Sequence, residues 1–404
     1  MKLYLSLISM LIVGWNTYAA DIYVNNSGQA GTYTTISAAI TAAVAGDKIY
    51  VSPYGVYTEN LAIAKSLTIV SAVPNTRFSV VGNVTITSAP TQEVIIIGGE
   101  FSGDIVANTG TATLASKGNF ILSDSKCPNV YAGNFVSSKI LFSEMTDVGI
   151  LHGKIIGCLI SSIYINDGPN TSLNDTIFII GNKVTFQIQW NNNDCYFLIA
   201  NNYVKSSNPG IVLYDFQYNV NKKNNIINNS IINTQTGSGG AGSYGQCLIL
   251  QGLSGSNLSN IDVTGNYMKA LSTGNASIPY ISCGMSTCYS NYLGRAKLYY
   301  NYIKSSNGAV ADNVVGNVIS ATVFNHDELG KVTDALVVNQ GSPALQYYDI
   351  DLTRNDIGTF GGPYSIDNYW NTATGRARVY DLNMPFEIWN GSTPSIKAEG
   401  THIK

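Results

Sequence analysis

Asp194 and Asp215 stand 21 residues apart, and Arg295 lies 80 residues beyond the second of them. Two carboxylates brought close enough to repel one another split their pKa values, so that one keeps its proton and can serve as an acid. An arginine beside the other would hold that one ionised, which makes the trio a candidate for acid–base work. A second group of residues suits binding. Tyr280, Tyr289, Tyr292, Tyr299, Tyr300 and Tyr302 crowd one stretch of a chain that carries 26 tyrosines. Aromatic faces with Asn and Ser neighbours match sugar rings, which present apolar C–H faces and hydroxyls together. The same residues also satisfy the plain preference of Tyr for strands.

Other constellations are weaker. Asp349, Asp351, Thr353, Asn355 and Asp356 could offer oxygens to Ca²⁺. However, Arg354 sits where an EF-hand needs Gly, and Phe360 sits where it needs a bidentate Glu. A turn in which Arg354 pairs with a nearby Asp accounts better for this stretch. Lys205, Lys269, Lys297 and Lys304 read as solvated turn residues, and His152, His326 and His402 are far apart in sequence. No metal site and no cofactor is expected.

Any such chemistry depends on a repeated element. The phrase recurs as Gly133-Asn134-Phe135-Val136, Gly181-Asn182-Lys183-Val184, Asn201-Asn202-Tyr203-Val204, Asn228-Asn229-Ser230-Ile231, Gly265-Asn266-Tyr267-Met268, Asn301-Tyr302-Ile303 and Gly316-Asn317-Val318-Ile319. In Gly157-Cys158-Leu159-Ile160, Cys takes the Asn place. Steps of 24, 24, 20, 27, 37, 35 and 16 residues separate these phrases. Self-similarity at that period, with short alternating strands between, predicts a solenoid of stacked parallel coils. An inward Asn at each corner can bond its neighbour one coil away, so Asn182, Asn202 and Asn229 should form a ladder. Carboxylates 21 residues apart, about one coil, would then face one groove.

Ile36, Ala39, Ile40, Ala43 and Val44 fall at helical spacing and Gly46 ends the run, which predicts a helix over 35–45 covering the solenoid's open end. Thr234–Gly245 and residues 269–300 break the regularity as insertions. From about Asn371 the character changes. Arg376–Leu382, Phe386–Trp389 and Ser395–Ala398 read as antiparallel strands of a small terminal cap. The fold class is therefore all-β: a right-handed parallel β-helix with an N-terminal capping helix and a small C-terminal β cap. Its parts are a signal peptide at 1–20, the β-helix at 21–370 and the cap at 371–404.

The signal reading rests on Lys2, the apolar run Leu3 to Trp15, and the small residues of Thr17-Tyr18-Ala19-Ala20. That run is shorter than the ~20 residues a bilayer span needs. Charged residues make up 12 % of the chain, the net charge is −3, and no basic cluster exceeds Lys222-Lys223. This argues against a nucleic-acid partner. The six cysteines follow no metal-site or disulfide spacing, although Cys283 and Cys288 are close enough for a loop bridge.

Tyr33-Thr34-Thr35-Ile36, Ala45 through Val51 and Pro53 through Asn60 resemble the opening of pectin-lyase-like right-handed parallel β-helix proteins. Gly341-Ser342-Pro343-Ala344, Asp349-Ile350-Asp351, Arg354 and Asp356 through Gly362 resemble the closing coil of secreted bacterial β-helix proteins. The resemblance spans about residues 21–370. It implies the fold, but that fold hosts lyases, hydrolases, esterases and proteins without known catalysis. Lyases of this group use a Lys or Arg base with carboxylate-held Ca²⁺, and no such carboxylate array stands in the central coils. Its pectin methylesterases use one Asp as nucleophile, a second as acid/base and an Arg to orient the nucleophile. Gly55-Val56-Tyr57-Thr58-Glu59, Asp194, Asp215-Phe216 and Leu293-Gly294-Arg295 occur in a similar order here. The Gln-rich segments of that family are missing, and Leu-Gly-Arg continues as Ala-Lys instead of Pro-Trp.

The expectation is an exported, non-catalytic β-helix protein of the cell surface or extracellular matrix. Its partner would be a polysaccharide, bound through Tyr280, Tyr289, Tyr292, Tyr299 and Tyr302, or another envelope protein. The alternative is a polysaccharide-active enzyme, an esterase built on Asp194, Asp215 and Arg295 or a lyase.

Overall fold

The computed structural model describes residues 19–87, 91–133, 135–166, 176–192, 196–216, 224–235, 246–251, 261–270, 281–283, 296–304, 314–320, 325–370, 377–383 and 397–402, except for 110–117. The signal segment to residue 18, Cys288 and Phe386–Trp389 lie outside them. Among the described residues no helix is long and apolar enough to cross a membrane.

The period-two pattern places one row of side chains inside and the next outside. Lys48–Val51 buries Ile49 and Val51, Leu67–Ser71 buries Leu67 and Ile69, and Glu93–Ile97 buries Val94 and Ile96. Equivalent residues then meet in register. Ile49 pairs with Ile69, Ile69 with Ile96, and Ile96 with Leu122, all in parallel. The result is a parallel β-helix. Its first face is a sheet of 13 strands running in chain order from Asp21–Val24 to Val314–Val315. The strands Glu144–Ile150, Leu159–Asn166 and Lys183–Asn192 are long because each crosses from a second face to a third. Glu144 pairs with Leu159 on the second face, while Val148 pairs with Val130 and Ile163 on the third. Each coil thus has three sides around one apolar core.

The corner between the first and second faces follows one rule from Asp124 to Gly316. A residue with positive φ turns the chain, and the next side chain points inward. Gly157, Gly181, Gly265 and Gly316 take the turn in some coils, and Asn201 (φ 53°) and Asn228 (φ 52°) take it in others. Asn tolerates this region better than most side chains. The inward residue builds the predicted ladder. The Asn182 Nδ2 donates to Asn202 Oδ1, Asn202 to Asn229, Asn229 to Asn266, and Asn266 to Asn301, each at 2.9–3.0 Å. Asn301 donates onward to Asn317. Each Asn Nδ2 also reaches a backbone carbonyl of the preceding coil, as Asn202 does to Ile179 and Asn229 to Ile199. All of Asn182, Asn202, Asn229, Asn266 and Asn301 are fully buried. Upstream the ladder continues with smaller groups: the Cys158 N–H donates to Asn182 Oδ1, the Ser143 N–H to Cys158 Sγ, and the Ser125 N–H to Ser143 Oγ.

One phrase of the repeat does not belong to this corner. In its coil the ladder position is Ser143, whereas Phe135 enters the core beside Phe120 with ring centroids 5.6 Å apart. Asn134 lies outside the described residues. An Asn followed by an apolar residue recurs at more than one corner of a coil, so the phrase alone does not fix the phase.

The helix Ile36–Ala42 stands between the first two strands of the first face. Thr35 caps its N-terminus by accepting from the Ala38 N–H, and Ile36, Ala39 and Ile40 enter the core. Glu59 accepts from the Ile36 and Ser37 N–H groups, so the orphan donors of the helix end are satisfied from the next coil. Tyr57 is buried, with its hydroxyl donating to the Ser52 carbonyl. Both conspicuous residues of Gly55-Val56-Tyr57-Thr58-Glu59 thus have structural roles.

Residues 325–370 contain no strand, only the short helical turns Leu345–Tyr347 and Asp367–Trp370. The segment that resembles a closing coil instead runs back along the outside as a strap. Gly358 N–H donates to the Gly265 carbonyl, Asn355 and Asn228 exchange side-chain bonds, and Asn201 Nδ2 donates to the carbonyls of Thr359 and Gly361. Trp370 Nε1 reaches the Gly181 carbonyl at 2.7 Å. Tyr369 packs over Leu141, Phe142, Ile156 and Ile180, outward residues of the first face and its corner. After the strap, Ala377–Asn383 and Lys397–His402 pair as an antiparallel hairpin.

Candidate functional site

Asp194 and Arg295 lie outside the described residues. Asp215 is on the strand Ile211–Phe216, at a bulge: Asn191 pairs with Tyr214 and Asn192 with Phe216, leaving Asp215 as the extra residue. The strands that follow Asp194 and Arg295 in sequence are Tyr196–Ala200 and Ala296–Tyr299. They stand three spacings apart in the first sheet, about 14 Å at the usual strand separation.

Of the tyrosines expected to face a glycan, Tyr280, Tyr289 and Tyr292 lie outside the described residues, and Tyr299 is half-buried on the first face. Tyr302 corrects the expectation. It is fully buried and stacked on Tyr267, with ring centroids 5.2 Å apart. The strap causes this by laying Val332, Val337, Ile357 and Ile366 over the outward rings of the second face.

The oxygens proposed for Ca²⁺ are spent on backbone. Asp349 accepts from the N–H groups of Asp356 and Gly362, Asp351 from Thr353, and Asp356 from Asn339. Asn355 clasps Asn228. Arg354 does not pair with an Asp. It donates to the carbonyls of Gly341 and Gln340 and lies 5.7 Å from the Tyr300 ring. Among the described residues no group of three His, Cys, Asp or Glu side chains could hold a metal. Lys269 is likewise not a solvated turn residue: it is buried on the strand Tyr267–Ala270, whereas Lys205 is exposed on Tyr203–Ser206. The side chains of Lys297 and Lys304 lie outside the described residues.

A groove of about 1020 Å³ lies at the N-terminal end of the first face. Register builds its floor. Tyr23 pairs with Tyr50, Tyr50 with Val70 and Val70 with Ile97, so these four outward side chains form one row, of which Tyr50, Val70 and Ile97 line the groove and Tyr23 continues beside it. The two tyrosine rings are nearly parallel and stacked on one another, 13° apart with centroids separated by 5.2 Å, and Tyr23 is 50 % exposed. The Lys48 ammonium sits 4.5 Å from the Tyr50 centroid.

The opposite wall is the loop from Ala72 to Arg77, held rigidly. Arg77 Nε donates to the Asp124 carbonyl at 2.8 Å, and its terminal nitrogens both reach Glu144 Oε1. Lys126 bridges Glu100 and Glu144 at 3.9 and 4.0 Å. Glu100 and Asp124 therefore stand at the groove beside an anchored cation network. An apolar floor of Tyr50, Val70 and Ile97, with the Lys48 ammonium and the Glu100 and Asp124 carboxylates around it, can meet the C–H face of a sugar and bond its hydroxyls. Sequence reading missed this site because no local motif marks it. Its residues come from coils 20 or more positions apart, and only the register of those coils aligns them.

Neither a protein-family model nor a curated protein matches this chain, so the groove is read from its own residues alone.

Proposed function

We propose that this chain is an exported, non-catalytic member of the pectin-lyase-like β-helix group. It acts at the cell surface or in the extracellular matrix by binding a neutral glycan in the Tyr23/Tyr50 groove. The observation that carries this reading is Tyr50, stacked against Tyr23 at the floor of a groove of about 1020 Å³, with Lys48, Glu100 and Asp124 lining the same groove to meet hydroxyls. A bound sugar offers its C–H face to the apolar floor, and the polar rim sets its orientation. The opening motif and the apolar leader support export of a β-helix of this kind.

The test is binding of the full chain to a panel of neutral oligosaccharides by calorimetry, beside Tyr50→Ala and Tyr23→Ala. Loss of a stacking ring costs about 1–2 kcal/mol, roughly tenfold in affinity. Equal binding by wild type and Tyr50→Ala would remove the groove from the reading. Pectin and alginate, with and without Ca²⁺, complete the panel. Release of unsaturated uronates or reducing ends would replace the binding reading with the enzymatic alternative.

A further inference from the structure

A second groove, about 460 Å³, opens on the second face where the strap begins. It is independent of the tyrosine platform and arises only because strap and solenoid meet there. The solenoid contributes Lys183, Tyr203, Lys205 and Thr234, and the strap contributes Glu328. The register accounts for the first of these, since Lys183 pairs directly with Tyr203 and both point outward. Strap residue His326 closes the seam, its ring centroid 5.9 Å from that of Tyr203 and its Nδ1 3.5 Å from the hydroxyl.

Two ammonium groups at this groove have no carboxylate partner among the described residues. Lys183 lies over the Trp370 ring at 4.6 Å, a contact that fixes its stem without neutralising it. Lys205 is exposed. The pKa of His326 is lowered, mainly by burial; the Asp327 backbone hydrogen bond opposes this, and the positive charges of Lys269 and Lys205 add to the lowering. The nearby carboxylate of Asp327 is occupied by the N–H groups of Leu329 and Lys331. We infer that this seam is a binding site for a tetrahedral oxyanion, a sulfate or phosphate group, held by Lys183 and Lys205 with hydroxyl donation from Tyr203. Lysine ammoniums act as point charges that approach an anion from different sides. A doubly charged tetrahedral anion gains more from two such point charges than a singly charged carboxylate does.

The experiment titrates the full chain with inorganic phosphate, sulfate and acetate, following the His326 and Tyr203 ring resonances. The expected result is one saturable site where phosphate and sulfate compete and acetate is at least tenfold weaker. Lys205→Met should weaken phosphate about tenfold while leaving the melting temperature and neutral-glycan binding unchanged. Lys48→Met, in the other groove, should leave phosphate binding intact. Glucose 6-phosphate and glucose 6-sulfate then identify the source. Tighter binding than the free anions assigns a glycan ester, and equal binding assigns the anion itself. Lack of saturation by phosphate and sulfate, equal binding of acetate, or unchanged affinity in Lys205→Met would overturn the inference. Neutral-glycan binding can fail or hold independently of all these outcomes.

Discussion

The two halves of the corner ladder solve one problem with different chemistry. From Asn182 onward each rung is an amide that accepts from the coil before it and donates both to that coil and to the one after it. Asn229 alone accepts from the Asn202 N–H and Nδ2 and donates to Ile199, Ile227 and Asn266. In the earlier half the rung is Ser125, Ser143 or Cys158. There a single atom takes one N–H from the preceding coil, as Ser143 does from Ser125, while its own hydrogen returns to Leu141 two residues away. The coils differ in step. Rungs are separated by 18, 15 and 24 residues from Ser125 to Asn182 and by 20, 27, 37, 35 and 16 from Asn182 to Asn317, so the three longest steps lie in the amide half. Closing a longer loop costs more chain entropy, and a bidentate amide rung supplies more bonds to offset it.

The largest effect should come from breaking the amide half. Asn229→Ala would orphan buried donors and acceptors on both neighbouring coils, costing on the order of 5 kcal/mol, whereas Ser125→Ala should cost about 1–2 kcal/mol. Chemical denaturation with hydrogen exchange mapped along the solenoid checks this. Equal losses at the two sites would mean that the amide rungs contribute nothing beyond a hydroxyl.

The next prediction separates the two members of an Asn doublet. Asn228 turns the chain in a left-handed conformation and clasps the strap, and Asn229 is the rung. Glycine keeps that backbone conformation at little cost. Asn228→Gly should therefore lose only the strap contact, about 1–2 kcal/mol. It should speed proteolysis within residues 341–370 and leave the ladder protected.

Much of the solenoid was legible in the residues, and for a physical reason. Inward Asn182, Asn202 and Asn229 recur at coil period because every coil presents the same unsatisfied corner groups. What was not legible depended on distant register. Asn201-Asn202 and Asn228-Asn229 read as simple repeats, although the first Asn of each serves a strap some 130–160 residues away. Tyr302 looked like an exposed aromatic because nothing near it in sequence reveals that the strap covers it. The groove at Tyr23 and Tyr50 went unread for the same reason.

The thiol rung sharpens the comparison from another side. Burial pushes Cys158 up to about 12, and Cys127 and Cys247 likewise to about 12. Thiolate is then scarce at pH 8, and all three should resist iodoacetamide until the chain unfolds. Cys158→Ser should be tolerated within about 1 kcal/mol, since a hydroxyl already fills the same rung at Ser143. Rapid native-state alkylation of Cys158, seen by peptide mass mapping, would show that its corner opens.

The smallest effect concerns the strap and pH. Asp349 ties the strap together through the N–H groups of Asp356 and Gly362, yet its pKa is raised to about 6. Burial is the main cause, and the charges of Asp356 and Asp351 add to it against the lowering effect of those two hydrogen bonds. A carboxyl that binds its proton more tightly folded than unfolded stabilises the folded form where that proton is present. The contribution of Asp349 is therefore full below the ordinary carboxylate pKa, near 4, and is lost as pH rises to about 6. Asp356 is raised too, mainly by burial, and acts in the same direction, whereas the exposed Asp351 is lowered by its bonds from Thr353. Hydrogen exchange of the strap, corrected for intrinsic rates, should be slower at pH 5 than at pH 7.5. Asp349→Asn cannot titrate there, so it should flatten most of that difference while the Asn ladder, which holds no ionisable group, exchanges alike at both values. If wild type and variant show the same slope, the strap's pH response resides in Asp356 or elsewhere, and Asp349 is only a turn.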